Sequence, residues 1–307
     1  MSTVIDTSNV PLTDRAKARR ARWWRDVGWR HVIGVVAVVY SIFPLVFAVN
    51  IALSPGTTGL PDPSKLFQSV SGQQFVTLFT NNRPETQVHF LSWLGNTLIV
   101  GLVTAIGTVL MGGAAAYAFS RFRYRGRRTT LTALLIIQMF PQMLAFVAVF
   151  LLLKSLGEVI PVLGQDSLIA LICVYLGGAL GVNTFLMYGF FNTVPMSLDE
   201  AAKIDGATHA QIFWTIILRL VAPVLAVVGL LSFISSFSEY IIAKLVLTTP
   251  THWTIAVGLY SLVANDRYAA WGLFAAGALI AALPVLVLFL FLQRYIVSGL
   301  TAGAVKG

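Results

Sequence analysis

Six long apolar runs without a charged side chain alternate with polar segments along this chain. They cover residues 32–53, 90–120, 129–153, 167–198, 220–238 and 268–293. A helix needs about 20 residues to cross a hydrocarbon core of roughly 30 Å. Because the backbone must satisfy its own hydrogen bonds in lipid, we predict that each run is one transmembrane helix of an all-α membrane protein.

A seventh uncharged stretch, residues 245–265, is interrupted by the polar segment 248–252. Only residues 253–263 then remain as an apolar piece, which is too short to cross a membrane. We therefore predict that this stretch is external or re-entrant and that the chain has six spans.

The polar segment between the fourth and fifth runs carries helix start and stop signals. Ser197 and Glu200 have the spacing of a capping box, and Thr208 and Gln211 repeat it. Gly206 lies between them, where glycine can adopt the left-handed conformation that ends a helix. The pattern predicts two short helices joined at a glycine elbow, a shape suited to a socket on another protein. An amphipathic helix pair on the membrane surface is the alternative.

Lysine and arginine residues are distributed unequally between the two sides of a six-span arrangement. Sixteen fall on one side, where seven precede the first span, five follow the second, and the others are Lys203, Arg219, Arg294 and Lys306. The opposite side has five. The excess of basic residues on the cytoplasmic side of membrane proteins therefore places both termini and the polar insert in the cytoplasm.

Composition excludes several classes of protein. With 57% hydrophobic and 11% charged residues, the chain is not an ordinary soluble protein. The net charge of +9 is explained by topology and by attraction to anionic lipid headgroups, so a nucleic-acid partner is not expected. The N-terminal 31 residues are too long and too charged for a typical signal peptide, so the first span is expected to stay attached.

Catalytic and metal-binding patterns are not recognisable in the sequence. It lacks the phosphate-binding pattern G-x-x-x-x-G-K-[ST], its four histidines are scattered, and its single cysteine, Cys173, rules out a disulfide within the chain. The chain is therefore not expected to be an enzyme, to hydrolyse ATP by itself, or to bind a metal or cofactor.

Two polar residues within or beside the predicted spans are candidates for function. Gln138 precedes Pro141 in the third span, where it could line a polar passage or satisfy the backbone that proline leaves unbonded. Glu239 follows the fifth span. A carboxylate in the membrane is a functional candidate, but we interpret Glu239 as locally paired with Lys244, five residues away.

The polar insert resembles the EAA loop of ATP-binding-cassette (ABC) importer permeases in Glu200, Ala201, Ala202, Gly206, Ile216 and Leu218. In that family the loop docks on the cytoplasmic ATPase. The resemblance implies that this docking is performed by Glu200, Ala201, Ala202, Asp205 and Gly206. Arg219 stands where the family pattern has proline, and Pro223 follows four residues later, which leaves the end of the second helix open.

Further segments are similar to the smaller permease subunit of maltose/maltodextrin importers, namely residues 138–141, 156–161, 175–178 and 299–307. The resemblance implies a type I ABC importer permease fold in a prokaryotic inner or plasma membrane. It implies three partners: a second permease subunit in a heterodimer, a cytoplasmic ATPase dimer carrying ATP and Mg, and an extracytoplasmic sugar-binding protein. The expected cargo is maltose, maltodextrin or a related glucoside such as trehalose.

The resemblance also implies two further contact regions. Asn265 and Asp266 are expected at the binding-protein interface. A C-terminal tail is expected to enter between the two ATPase subunits through Leu300, Thr301, Gly303 and Val305.

These features divide the chain into a basic cytoplasmic segment (1–31), a permease domain (32–297) and a cytoplasmic tail (298–307). External loops are expected at about 54–89 and 244–268, and the coupling loop at about 191–219. The first external loop is expected to be either a small cap with a short helix or a draped loop.

Two other classes of protein are alternatives to a permease. An ion-coupled secondary transporter should show paired acids within its spans and often an internal repeat, whereas Glu239 stands alone. A membrane enzyme should show clustered nucleophiles, acids or metal ligands. The sequence therefore favours the importer permease.

Overall fold

The structure, a computed structural model, describes residues 24–55, 66–80, 88–140, 142–264 and 269–304. All regular elements in these ranges are helices, as the apolar runs predict. In chain order they are α1 (Trp29–Leu53), α2 (Gln73–Thr80), α3 (Phe90–Arg121), α4 (Arg127–Gln138), α5 (Gln142–Val159), α6 (Leu168–Phe191), α7 (Met196–Ile204), α8 (His209–Leu220), α9 (Ala222–Ser238), α10 (Ile241–Val246), α11 (Ile255–Ser261) and α12 (Trp271–Ala304).

Three helices, α1, α3 and α12, are long and apolar enough to cross a membrane without interruption. α6 bends by 52° between Gly178 and Gly181, and α8 meets α9 at 81°. If each bent pair is one span, the described residues contain up to five spans. The predicted third span corresponds to α4 and α5, which lie on either side of Pro141. This division falls at the residue type that interrupts helical hydrogen bonding.

The central helix is α3, which packs against α6 and α9. Both approaches are close because glycine lies at the contact. A Cβ atom at Gly112 would lie 2.3 Å from Met187 Cε in α6, and one at Gly101 would lie 3.0 Å from the Phe233 ring in α9. Small residues allow membrane helices to approach in this way.

The bundle has a separate core near each end. One core is formed by α3, α9, α11 and α12 and contains Phe90, Trp93, Phe233, Ile255, Leu259 and Leu273. The other is formed by the opposite end of α3 with α6, α7 and α8 and contains Tyr117, Met187, Phe191, Ile212, Phe213 and Ile217. The second core supports the polar insert.

The first helix, α1, packs against α12 but is exposed over much of its length. Its large apolar side chains between Val32 and Leu45 lie on the surface of the single chain. An apolar surface of this length requires lipid or another protein as cover.

Several predicted boundaries differ from the observed helix ends. Among the described residues, helical backbone is present from Trp24, inside the predicted N-terminal segment. The backbone of α12 stays helical to Ala304, so this helix continues into the predicted tail. The physical reason is that no proline follows Pro284, so nothing in the sequence blocks the helical hydrogen bonds of this stretch. The predicted short helix in the loop 54–89 is present as α2.

The loop between α10 and α11 is fixed by Asp166, which lies just before α6. The Asp166 carboxylate accepts hydrogen bonds from the backbone amides of Thr248 and Thr249, both at 2.9 Å, and from the Thr249 hydroxyl. It also lies 2.9 Å from His252 Nδ1. Asp166 itself has φ of 63°, a left-handed conformation that aspartate tolerates.

Burial alone would raise the pKa of Asp166, but the hydrogen bonds from Thr249, Thr248 and His252 outweigh burial and lower this pKa to about 2. Because the folded pKa is depressed, the stabilisation is complete above the unfolded value of about 3.9. It is lost only as the pH falls towards the folded value. The attachment of this loop by Asp166 is therefore insensitive to pH in the neutral range.

Two side chains of α3 hold the same loop from the other side. Trp93 Nε1 donates a hydrogen bond to the carbonyl of Pro250 at 2.7 Å. Asn96 Nδ2 donates to the carbonyls of Thr251 and Trp253 at 2.9 and 3.1 Å. α11 has only 7 residues, which agrees with the prediction that this stretch is not a span.

Candidate functional site

The polar insert folds into two helices, α7 and α8, joined at a glycine elbow. We call residues 196–220 the knob. Gly206 has φ of +80°, and two hydrogen bonds close the end of α7: Gly206 N donates to Lys203 O at 3.0 Å, and Ala207 N donates to Ala202 O at 2.9 Å. This pair of bonds is a Schellman motif, in which the left-handed position is normally glycine. The predicted elbow is therefore confirmed.

The start of α8 is capped as predicted. The Thr208 hydroxyl accepts a hydrogen bond from Gln211 N at 3.3 Å, and the Gln211 side chain accepts one from Thr208 N at 2.8 Å. These two reciprocal bonds form a capping box. Thr208 and Gln211 therefore fix the direction in which the chain leaves the elbow.

The start of α7 differs from the prediction. The N-cap is Pro195, without a side-chain hydrogen bond, and α7 begins at Met196. Ser197 is therefore inside the helix, and the predicted capping box of Ser197 and Glu200 is wrong. The fixed φ of proline presets the chain for a helical start two positions earlier, which removes the need for a serine cap.

A buried ion pair attaches α7 to the bundle. Arg121 Nε lies 3.0 Å from Asp199 Oδ2, and the two side chains are only 4% and 6% exposed. The guanidinium also donates hydrogen bonds to the carbonyls of Phe191 and Val194, at 3.3 and 3.0 Å. Arg121 thus connects the ends of α3 and α6 to α7, with the planar, multiple-donor geometry that arginine provides.

The second helix of the knob is held by apolar and aromatic contacts. Ile212, Phe213 and Ile217 are buried in the core at this end of the bundle. Tyr117 packs on the Phe213 ring at 5.1 Å between centroids, and its hydroxyl lies 3.3 Å from His209 Nδ1. α8 therefore cannot shift without repacking the end of α3.

α8 continues to Leu220, and Pro223 lies in the first turn of α9. Arg219 is therefore an exposed residue in the last turn of α8, and Pro223 rather than residue 219 marks the start of the next helix. The end of the second helix, which the sequence left open, is thus at the 81° bend next to Val221.

The outward surface of the knob combines polar and apolar groups. Glu200, Ala201, Asp205 and Gly206 are exposed. Ile204 lies at the end of α7 and is 87% exposed. Ile204 therefore offers a large aliphatic side chain at the end of a rigid, capped projection.

The polar residues within the bundle have partners other than those expected. The Glu239 carboxylate accepts hydrogen bonds from the Tyr175 hydroxyl at 2.6 Å and from the amides of Ile242 and Ala243, both at 2.9 Å. Lys244 instead lies over the Trp253 ring, 4.3 Å from its centroid. The predicted Glu239–Lys244 pair is therefore wrong, because Glu239 turns back to cap the first amides of α10.

Comparison with known proteins gives the family. The sequence model of a family described as the binding-protein-dependent transport system inner membrane component matches residues 108–301, a range that includes the whole knob. The chain belongs to this family. It is an ABC importer permease and a multi-pass membrane protein.

Curated relatives of the permease carry sugar names. It is 42% identical to the maltodextrin transport system permease protein MdxG of Bacillus subtilis, over 88% of this chain and 92% of the relative. It is 38% identical to the galactooligosaccharides transport system permease protein GanQ of the same organism, over 88% and 92%. It is also 38% identical to the maltose/maltodextrin permease MalG of Escherichia coli K12, over 90% and 95%.

The fold of the permease is also found in solved structures. It is similar to a chain of a bacterial ABC transporter that imports the acidic polysaccharide alginate, with a TM-score of 0.72 and 21% identity, over 93% of this chain and 98% of the other. At this identity the similarity shows the fold alone. The type I importer permease fold expected from the sequence is thereby confirmed.

The predicted residues of the coupling loop lie together in the knob, but they differ in solvent exposure. Glu200, Ala201, Asp205 and Gly206 are on the surface of the knob, whereas Ala202 is buried beneath it. Ala202 therefore supports the knob and cannot touch a partner directly.

The other predicted contact regions are described only in part. Asn265 and Asp266 lie outside the described residues, as does Val305. Leu300, Thr301 and Gly303 lie in the backbone helix of α12.

Asp199 and Arg121 were missed by the sequence reasoning. The only local signal is that an acid directly precedes Glu200. The partner of that acid lies 78 positions earlier, and nothing in the spacing of the sequence connects the two.

Proposed function

We propose that this permease is one of two membrane subunits of an ATP-driven importer for maltose, maltodextrin or a related glucoside such as trehalose. The observation that carries the proposal is the knob, a pair of short helices that exposes Ile204. The buried ion pair of Arg121 and Asp199 attaches the knob to the bundle. A rigid projection transmits a conformational change of a partner to the bundle better than a flexible loop does, because it moves as one body.

The knob would dock on a cytoplasmic ATPase dimer, which supplies the ATP and Mg that this chain is not expected to bind. Glu200, Ala201, Asp205 and Gly206 would face the ATPase, and Ile204 would enter an apolar part of its socket. The distribution of lysine and arginine supports a cytoplasmic position for this end of the bundle and for both termini.

The opposite end would receive sugar from an extracytoplasmic binding protein. The loop between α10 and α11, held by Asp166, Trp93 and Asn96, gives this end a fixed surface. Asn265 and Asp266 would take part in this contact. A second, different permease subunit would complete the pathway, and the exposed apolar length of α1 offers one surface for it or for lipid.

The C-terminal segment would contact the ATPase dimer through Leu300, Thr301, Gly303 and Val305. The basis is the similarity of residues 299–307 to the tail of maltose-type permeases. Small residues fit a narrow crevice between two subunits that opens and closes in each cycle.

The sugar proposal rests on the relatives, whose printed names cover maltodextrin, maltose and galactooligosaccharides. The experiment is to purify the complete complex with its ATPase, second permease and binding protein, and to measure ATP hydrolysis with maltose, maltotriose, trehalose and galactobiose. We expect an α-glucoside to stimulate hydrolysis and galactobiose to leave it at the basal rate.

Two outcomes of the measurement with these four sugars would contradict the proposal. Stimulation by galactobiose alone would assign the permease to galactooligosaccharides. A complex that all four sugars leave at the basal rate would refute the sugar proposal. The complex without binding protein is the control, and sugar should not stimulate it.

A further inference from the structure

A polar cavity of about 520 Å³ is lined by residues of α3, α4, α5, α6, α9 and α10. It is distinct from the knob and involves none of the residues assigned above to the ATPase or the binding protein. The polar side chains that line it include Thr104, Gln138, Tyr175, Asn183, Ser235 and Glu239.

One face of α9 points its polar residues at this cavity. Ser232, Ser235 and Ser236 follow the spacing i, i+3 and i+4, which places them on one side of the helix. All three line the cavity together with Glu239, the residue that follows α9. A helix in contact with lipid does not gain from a polar stripe, because hydroxyl and carboxylate groups are costly to place in hydrocarbon. The stripe therefore indicates a surface that meets water or a polar ligand.

Some polar groups in the cavity wall lack a protein partner. Thr104 is 1% exposed, and its hydroxyl has no hydrogen-bond partner among the described residues. Asn183 is half-buried and Ser235 is exposed, and neither side chain forms a hydrogen bond within the described part of the chain. A buried hydroxyl without a partner costs free energy, so a ligand or water that bonds to it would stabilise the site.

The charges of the residues that line the cavity indicate which kind of ligand it suits. Among the described residues that line the cavity, only Glu239 is charged. Both of its carboxylate oxygens already accept hydrogen bonds, from Tyr175 and the α10 amides. The wall therefore does not require a cation. Its free groups are hydroxyls and an amide, interspersed with apolar surface from Val149 and Val182. This combination suits a neutral molecule that has hydroxyl groups and C–H faces.

We infer that the permease contacts a neutral oligosaccharide through the lining of this cavity during translocation. Asn183, Ser235 and Thr104 are the hydrogen-bonding groups of that lining. This inference rests on the proposed importer function and deepens it. Gln138 is held back from the ligand by its own bond to the Gly178 carbonyl at 2.8 Å, and it shapes the wall next to the bend of α6.

The first test compares neighbouring cysteine variants in the assembled complex, after Cys173→Ala removes the native thiol. Ser235→Cys lies in the cavity lining, whereas Ile234→Cys is exposed on α9 but outside that lining. We expect a charged, water-soluble methanethiosulfonate to modify position 235 and not position 234. Maltotriose with binding protein and ATP should slow modification at 235.

The contradicting results are specific. Equal modification of both positions, or of neither, would show that this face does not line an aqueous pathway. Modification at 235 that maltotriose leaves unchanged during active transport would show that water, and not sugar, fills the cavity. A wild-type complex that transports none of the sugars would instead refute the proposed function.

The second test separates contact from folding. Asn183→Ala should raise the KM for sugar uptake about fivefold, the contribution of one neutral hydrogen bond, while the yield of assembled complex equals that of the wild type. The matched control is Phe185→Ala on the same helix, which is exposed outside the cavity lining and should leave KM unchanged. An unchanged KM for Asn183→Ala, or an equal rise in both variants, would overturn the inference.

Discussion

Replacing Gly206 with proline should abolish sugar uptake while the chain still inserts into the membrane. The backbone at Gly206 has φ of +80°, whereas proline is fixed near −65°. Proline also removes the amide that donates to Lys203 O at 3.0 Å in the Schellman motif. The elbow cannot form, so the knob should lose the shape that fits the ATPase, and less ATPase should be retained during purification.

A graded series at the same position separates backbone conformation from steric clash. A Cβ atom at Gly206 would meet no other atom within 4 Å, so only the left-handed conformation resists substitution. Gly206→Asn should behave almost as the wild type because asparagine tolerates this conformation, whereas Gly206→Ala should cost about 1–2 kcal/mol and reduce uptake. Normal uptake by Gly206→Pro cells would refute the coupling role of the knob.

The second large effect is expected at the buried ion pair between Arg121 and Asp199. Asp199→Ala leaves the guanidinium buried without its carboxylate partner, which costs about 3–5 kcal/mol in comparable buried pairs. We expect a lower unfolding temperature of the purified complex and loss of ATPase retention. Arg121→Lys should also be damaging, because lysine cannot reach the Phe191 and Val194 carbonyls together with Asp199.

Two control variants separate the loss of the ion pair from the loss of an arginine elsewhere. Arg125→Ala removes an exposed arginine from the turn that follows α3 and should change stability by no more than about 0.5 kcal/mol. The double variant Arg121→Met with Asp199→Leu removes both charges and should recover much of the stability that either single change loses. If Asp199→Ala unfolds at the wild-type temperature and keeps its ATPase, the pair does not fix the knob.

Local signals predicted local structure well. The elbow at Gly206 and the capping box of Thr208 and Gln211 depend on residues within five positions of one another, and both are present. The capping box at Ser197 failed although its spacing is correct, because Pro195 starts the helix earlier. A cap pattern is thus a reliable sign only where no stronger helix start lies just before it.

Contacts between distant positions could not be predicted. Arg121 and Asp199 are 78 positions apart, and Glu239 bonds to Tyr175, 64 positions away, in preference to nearby Lys244. Spacing along one chain carries information about neighbours on one helix and not about which helices pack together. The serines of α9 show their role only in the structure, where α3 and α6 contribute to the cavity that these serines line.

A measurement of the energy source of transport tests most directly whether this chain is part of an ATP-driven importer. The complete complex would be reconstituted in proteoliposomes with the knob facing the lumen, and uptake of radiolabelled maltose would be measured with binding protein outside. We predict uptake that requires ATP in the lumen and continues when ionophores collapse every ion gradient. Uptake that proceeds without ATP and stops with ionophores would show an ion-coupled secondary transporter and contradict the account.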